Sequence, residues 1–185
     1  MAATTLPTRT ASDEKLGIII VDHGSRRAES NRMLEDVAAL FAKRFAGKYH
    51  VVQAAHMELC EPSIDSAYRS CVESGATRVV VAPFFLGPGK HWSKDIPALT
   101  AEAAGHFPNT KYHVTAPLGI DDLILDLLDK RVSHCGSHQF NCELCAGTLR
   151  SGEPGIPFDA PDHKDPAPCA ACPYAKAGIP LPVTV

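Results

Sequence analysis

Leu16-Gly-Ile-Ile-Ile-Val-Asp-His-Gly-Ser25 decides the fold. Its apolar run does not alternate with polar residues, so both faces of the strand it predicts must be buried, as in a parallel sheet covered by helices on either side. The run ends abruptly in Asp22-His23-Gly24, which predicts a tight turn carrying an imidazole just beyond the strand.

Three further runs rich in Val, Ile, Phe and Ala follow at residues 49–55, 78–85 and 112–116, after a first strand at residues 16–21. Between and after them lie apolar stripes of helical period. Leu34, Val37, Ala38, Phe41 and Phe45 make the first, and Ile64, Ala67, Tyr68, Cys71 and Val72 the second. Ile96, Leu99, Thr100, Ala103 and Phe107 make the third, and Ile124, Leu127 and Leu128 the last. Four βα units in series predict an α/β fold: a doubly wound, mostly parallel four-stranded sheet of flavodoxin-like order 2-1-3-4. The switch point then falls between the first and third strands. Ser25 is expected to cap the first helix, Pro62 to open the second at N1, Asp95 to lead into the third, and Asp121 to follow Gly119 into the fourth.

Three segments are expected. Residues 1–15, rich in Ala and Thr, read as a disordered N-terminus without an apolar secretory core, compatible with the stub of an organellar presequence. Residues 16–134 form the α/β domain, and residues 135–185 a tail rich in Cys and Pro with few large apolar side chains. Such a tail folds only if something else, such as a metal, supplies the energy. The net charge of −3 and the absence of Lys/Arg runs argue against nucleic acid as a partner. The apolar runs are far shorter than the roughly 20 residues that cross a bilayer, so no membrane partner is expected either. A single four-stranded sheet has exposed margins, and pairing with a second copy is the expected cover.

Ligands of open parallel sheets collect beyond the carboxyl ends of the strands. His23 follows the first strand, Glu58 the second and His91 the third. An isolated loop histidine is ordinarily a hydrogen-bonding group of no further consequence. Two imidazoles and a carboxylate converging from three strand ends form instead a mixed N/O donor set suited to a divalent first-row metal. His56, two residues before Glu58, is a reserve candidate on the same face. Arg26, Arg27 and Lys94 flank the histidines and, with the helix N-termini, form a rim that favours an anionic ligand.

Val-Asp-His23-Gly-Ser-Arg, Ala-His-Met-Glu58-Leu-Cys-Glu-Pro-Ser and Phe-Phe-Leu-Gly-Pro-Gly-Lys-His91-Trp-Ser-Lys-Asp together resemble the sirohydrochlorin chelatases, above all the short single-unit ferrochelatases of plants and algae. The resemblance covers residues 16–145. It implies a homodimer of chelatase-like fold that inserts Fe2+ into sirohydrochlorin without ATP, giving siroheme. His23 and His91 match the family's metal-binding histidines, and Glu58 matches its acidic partner. The eight carboxylates of the macrocycle suit the basic rim of Arg26, Arg27 and Lys94. Rival readings are a cobalt or nickel chelatase, and a carrier that holds metal or tetrapyrrole without turnover. A flavodoxin-like redox module ranks last, since the chain has no Ser/Thr-rich phosphate loop after the first strand.

Cys135, Cys142, Cys145, Cys169 and Cys172 crowd into the tail. Their spacing alone fits structural zinc slightly better than a cluster. The resemblance shifts the expectation to a [2Fe-2S] cluster held by four of the five, with zinc as the alternative. It also implies a plastid stroma for a plant or algal source, and the cytoplasm otherwise.

Overall fold

Strands Leu16–Asp22 (β1), Val51–His56 (β2), Arg78–Pro83 (β3) and Lys111–Val114 (β4) form one sheet in the order β2-β1-β3-β4, every pairing parallel. The expected order is therefore met. This computed structural model describes residues 14–137 of the chain. The expectations for the first 13 residues and for Cys142, Cys145, Cys169 and Cys172 lie outside the described residues.

The chain divides into two units, residues 1–119 and 120–185. The first carries the sheet together with helices Ala28–Arg44 (α1), Ile64–Glu73 (α2) and Ile96–Gly105 (α3), the last entered through a π-helical turn at His91–Asp95. The described part of the second unit holds one helix, Asp122–Ser137 (α4), none of whose residues is buried. No helix among the described residues is long and apolar enough to cross a membrane.

The uninterrupted run of β1 is explained by two cores. Ile19 and Val21, both fully buried, pack with Ile64, Ala67, Tyr68 and Cys71 of α2 and with Ile96 and Ala103 of α3. Ile18 and Ile20 turn the other way, onto Leu34 and Ala38 of α1. Each such aliphatic side chain contributes about 1.5–3 kcal/mol on burial, so a polar residue at any of the four would lose its place in a core.

Two helix starts differ from expectation. Ser25 does not cap α1: its hydroxyl accepts the Arg27 amide, and its own amide and carbonyl are taken by the side chain of Asn31. The helix begins only at Ala28, with Arg27 at the N-cap and no side-chain cap. Pro62 precedes the cap of α2 rather than opening the helix; Ser63 is the N-cap, accepting the Ser66 amide. The carbonyl of Pro62 is committed to the amide of His56 at 2.7 Å, which draws the proline back towards β2. Asp95 does lead into α3, and Asp121 accepts the Leu123 amide at the start of α4.

Candidate functional site

Parallel register brings the ends of β1 and β2 level. Asp22 pairs with His56, and the ladder runs on past both strands: the Met57 amide donates to the Asp22 carbonyl at 2.9 Å and the Glu58 amide to the His23 carbonyl at 3.1 Å. Gly24 permits this close approach. Its φ is +86°, and a Cβ there would lie 2.1 Å from the Glu58 carbonyl oxygen. The backbones of residues 23 and 58 thus run side by side, and Nε2 of His23 stands 2.8 Å from Oε1 of Glu58.

His91 arrives from the far side of β1. β3 ends at Pro83, two residues earlier than expected, because the chain leaves the ladder once the Phe84 amide has donated to Val21. Residues 84–90 then swing out and return as the turn that carries His91. Three contacts fix that turn. The Trp92 indole N–H donates to the Thr115 carbonyl at 2.9 Å, beyond the end of β4. Nδ1 of His91 donates to Oδ2 of Asp95 at 2.9 Å. The ring of Phe85 stacks on His91 with centroids 6.5 Å apart. The His23 and His91 rings meet edge to face, 5.1 Å between centroids.

With Nδ1 of His91 donating to a carboxylate, its Nε2 lone pair is left available for a metal, the arrangement usual for ligating imidazoles. Both histidines and Glu58 are reachable from solvent, their side chains being 42%, 44% and 52% exposed. Among the described residues no three His, Cys, Asp or Glu side chains are gathered as a ready metal cage. The donors present are a closed His23–Glu58 pair with a second imidazole against it, so an ion must part that pair to reach Nε2 of His23.

Other expectations fare differently. Arg26, Arg27 and Lys94 are exposed on the segments that carry His23 and His91. His56 does not share the face of Glu58: it is fully buried, with Nδ1 donating to Oδ1 of Asp22 at 2.6 Å. Asp22, Asp95 and Trp92 were not singled out as site residues from the sequence. Adjacency to His23 and to His91 is the signal available for Asp22 and Trp92, and the i, i+4 spacing to His91 is the one for Asp95.

A family profile described as CbiX matches residues 17–135. Over 136 residues the chain is 54% identical to the chloroplastic sirohydrochlorin ferrochelatase of Arabidopsis thaliana, covering 71% of this chain and 60% of that protein. It is 33% identical over 126 residues to the sirohydrochlorin cobaltochelatase of Methanosarcina acetivorans, covering 64% of this chain and 95% of the relative. The sirohydrochlorin chelatase SirB of Bacillus subtilis subspecies spizizenii, solved in complex with cobalt, superposes with a TM-score of 0.58 at 30% identity, over 65% of this chain and half of that one. Fold, strand-end motifs and the extent of these matches agree: the chain belongs to the CbiX family.

Proposed function

We propose that this chain inserts Fe2+ into sirohydrochlorin, without ATP, to give siroheme. The observation that carries the reading is the contact of His23 with Glu58 at 2.8 Å, with the His91 ring against the His23 ring, beyond the ends of three parallel strands. Metallation is an exchange: one divalent ion enters the macrocycle and two pyrrole N–H protons leave. His23 and His91 hold the incoming ion through neutral ring nitrogens. Glu58 and the imidazole released as the ion passes on accept the two protons and hand them to solvent. Substrate metal and product protons therefore use the same side chains in turn.

The surroundings suit the macrocycle. Leu59, Phe84 and Leu86 are exposed apolar side chains on the loops bearing Glu58 and leading to His91, and give a flat ring an apolar seat. Arg26, Arg27 and Lys94 meet its peripheral carboxylates. Iron is assigned from the ferrochelatase relative. The cobaltochelatase relative and the cobalt-bound SirB favour cobalt as a second reading, since donor types alone separate first-row ions poorly.

Anaerobic incubation of the purified chain with sirohydrochlorin and, side by side, Fe2+, Co2+ and Ni2+ tests this through the macrocycle's visible spectrum. Many turnovers with Fe2+ as the fastest ion are expected. Spectral change that stops at one equivalent of protein marks a carrier, and faster insertion of Co2+ marks a cobaltochelatase.

Three further assignments belong to the same proposal. Four of Cys135, Cys142, Cys145, Cys169 and Cys172 hold a [2Fe-2S] cluster, with structural zinc as the alternative; Cys135, half-buried near the end of α4, is in no disulfide among the described residues. Five soft thiolate donors suit either. Visible sulfide-to-iron bands identify the cluster, and a colourless protein with bound zinc excludes it. The chain acts as a homodimer, because β2 and β4 are the margins of a narrow sheet; sedimentation at micromolar concentration decides. For a plant or algal source the compartment is the plastid stroma, supported by the chloroplastic relative.

A further inference from the structure

We propose that Asp22 and His56 are a positioning pair that holds Glu58 against His23, an assignment resting on the metal-insertion reading above. His56 ends β2 and is fully buried. Its Nδ1 donates to Oδ1 of Asp22 at 2.6 Å, while its Nε2, also buried, has no hydrogen-bond partner among the described residues. An apolar side chain of similar size would fill this place beside Ala54 and Ala55 without leaving a nitrogen unsatisfied. Packing alone therefore does not explain an imidazole here. What an apolar residue lacks is the bond to Asp22.

That bond has a second end. The same Oδ1 of Asp22 accepts the Gly24 amide at 2.9 Å, so one carboxylate oxygen ties the last ring of β2 to the residue after His23. The residues on either side of the tie carry the chemistry. His23 lies between Asp22 and Gly24, and Glu58 lies two residues beyond His56. The tie clamps the two segments where the extended ladder runs, with the Glu58 amide on the His23 carbonyl. Glu58 itself is on an exposed loop whose next residue, Leu59, has a φ of 72°, a conformation that costs a leucine energy and that only a fixed surround maintains. Released from the clamp, the loop relaxes and the carboxylate leaves the imidazole. The pair touches neither metal nor macrocycle; it acts through His23 and Glu58.

The test uses the full chain carrying His56→Leu, His56→Asn and Asp22→Ala. The asparagine amide falls near the place of Nδ1 and can donate to Asp22; leucine cannot. For His56→Leu and Asp22→Ala, kcat for iron insertion and affinity for Co2+, read from its visible bands, should fall about 10–100-fold, the range for groups that orient ligands from behind. KM for sirohydrochlorin should stay within about twofold of wild type, since macrocycle binding is untouched. His56→Asn should recover most of kcat. Amide hydrogen exchange at Glu58 should accelerate in the two impaired variants and return towards wild type in His56→Asn. Folded variants with wild-type kcat and wild-type Glu58 exchange overturn the pair. If His56→Leu does not fold, Asp22→Ala decides alone, its side chain being partly exposed. A wild-type chain that neither binds Co2+ nor turns over sinks the functional reading instead, and an active wild type with equally active variants sinks only the positioning role.

Discussion

Nδ1 of His91 and Oδ2 of Asp95 are 2.9 Å apart across one turn, so the carboxylate engages one nitrogen of a ring whose centroid lies 5.1 Å from that of His23. Asp95→Ala frees the ring to rotate and to exchange tautomers. Iron-insertion kcat should drop about 10–100-fold while the melting temperature changes little, because Asp95 makes no side-chain cap to α3. Steady-state kinetics beside a thermal melt checks both. An unchanged kcat means that His91 does not depend on its carboxylate.

Gly24 stands where the His23 turn meets the Glu58 backbone. In Gly24→Ala the new Cβ would fall 2.1 Å from the Glu58 carbonyl, a collision with backbone rather than with a flexible side-chain tip. The left-handed conformation adds about 1–2 kcal/mol for any residue with a Cβ. Loss of stability and of most activity is expected, read by chemical denaturation and by turnover. A folded, fully active Gly24→Ala would show that residues 24 and 58 separate at no cost.

Burial pushes the thiol of Cys71 up to about 12, and burial followed by the nearby Tyr112 and Cys71 raises the Tyr68 hydroxyl to about 12. Both groups ionise more readily in the unfolded chain, so they favour folding fully below the unfolded values and progressively less above them. Stability should accordingly decline as pH rises from about 9, the ordinary thiol value, towards 12. Cys71→Ala should flatten the onset of that decline in pH-dependent urea melts. Because Cys71 is buried and Cys60 only half-buried, brief alkylation at pH 8 should modify Cys60 and spare Cys71 until the chain unfolds.

Trp92 links the His91 turn to the residue after β4 by a single indole hydrogen bond to Thr115. Trp92→Phe keeps most of the ring's volume and deletes that bond. The loss should appear chiefly in kcat, as the turn carrying His91 loosens, at a stability cost of about 1 kcal/mol. A stability loss with unaltered kcat would confine Trp92 to packing.

Much of this architecture is legible in the sequence, for reasons that can be named. The run from Ile18 to Val21 has no polar break because each successive residue enters a different core, and that pattern alone predicts a central parallel strand. Leu34 and Ala38, or Ile64, Ala67, Tyr68 and Cys71, are spaced as a helix requires and are the residues buried. His23, Glu58 and His91 stand out because each follows a strand, and strand ends of one parallel sheet share an edge.

What escapes is whatever depends on register. Nothing near His56 in the chain announces that it faces Asp22, 34 positions away, and its nearness to Glu58 suggests a reserve ligand instead. Ser25 has the right chemistry for a cap, but Asn31 captures its backbone and delays the helix. The chain leaves β3 at Pro83, and the turn it then reaches is held by the Trp92 bond to Thr115, a partner 23 positions away.

If His23 passes metal and protons in one exchange with Glu58 and His91, its removal must stop insertion without unfolding the chain. Steady-state iron insertion by His23→Ala, alongside a circular-dichroism spectrum that verifies its fold, tests it most directly. A native spectrum is expected with kcat reduced at least about 100-fold, the lower range for loss of an acid–base group that also binds the ion. Wild-type turnover by a folded His23→Ala would contradict it.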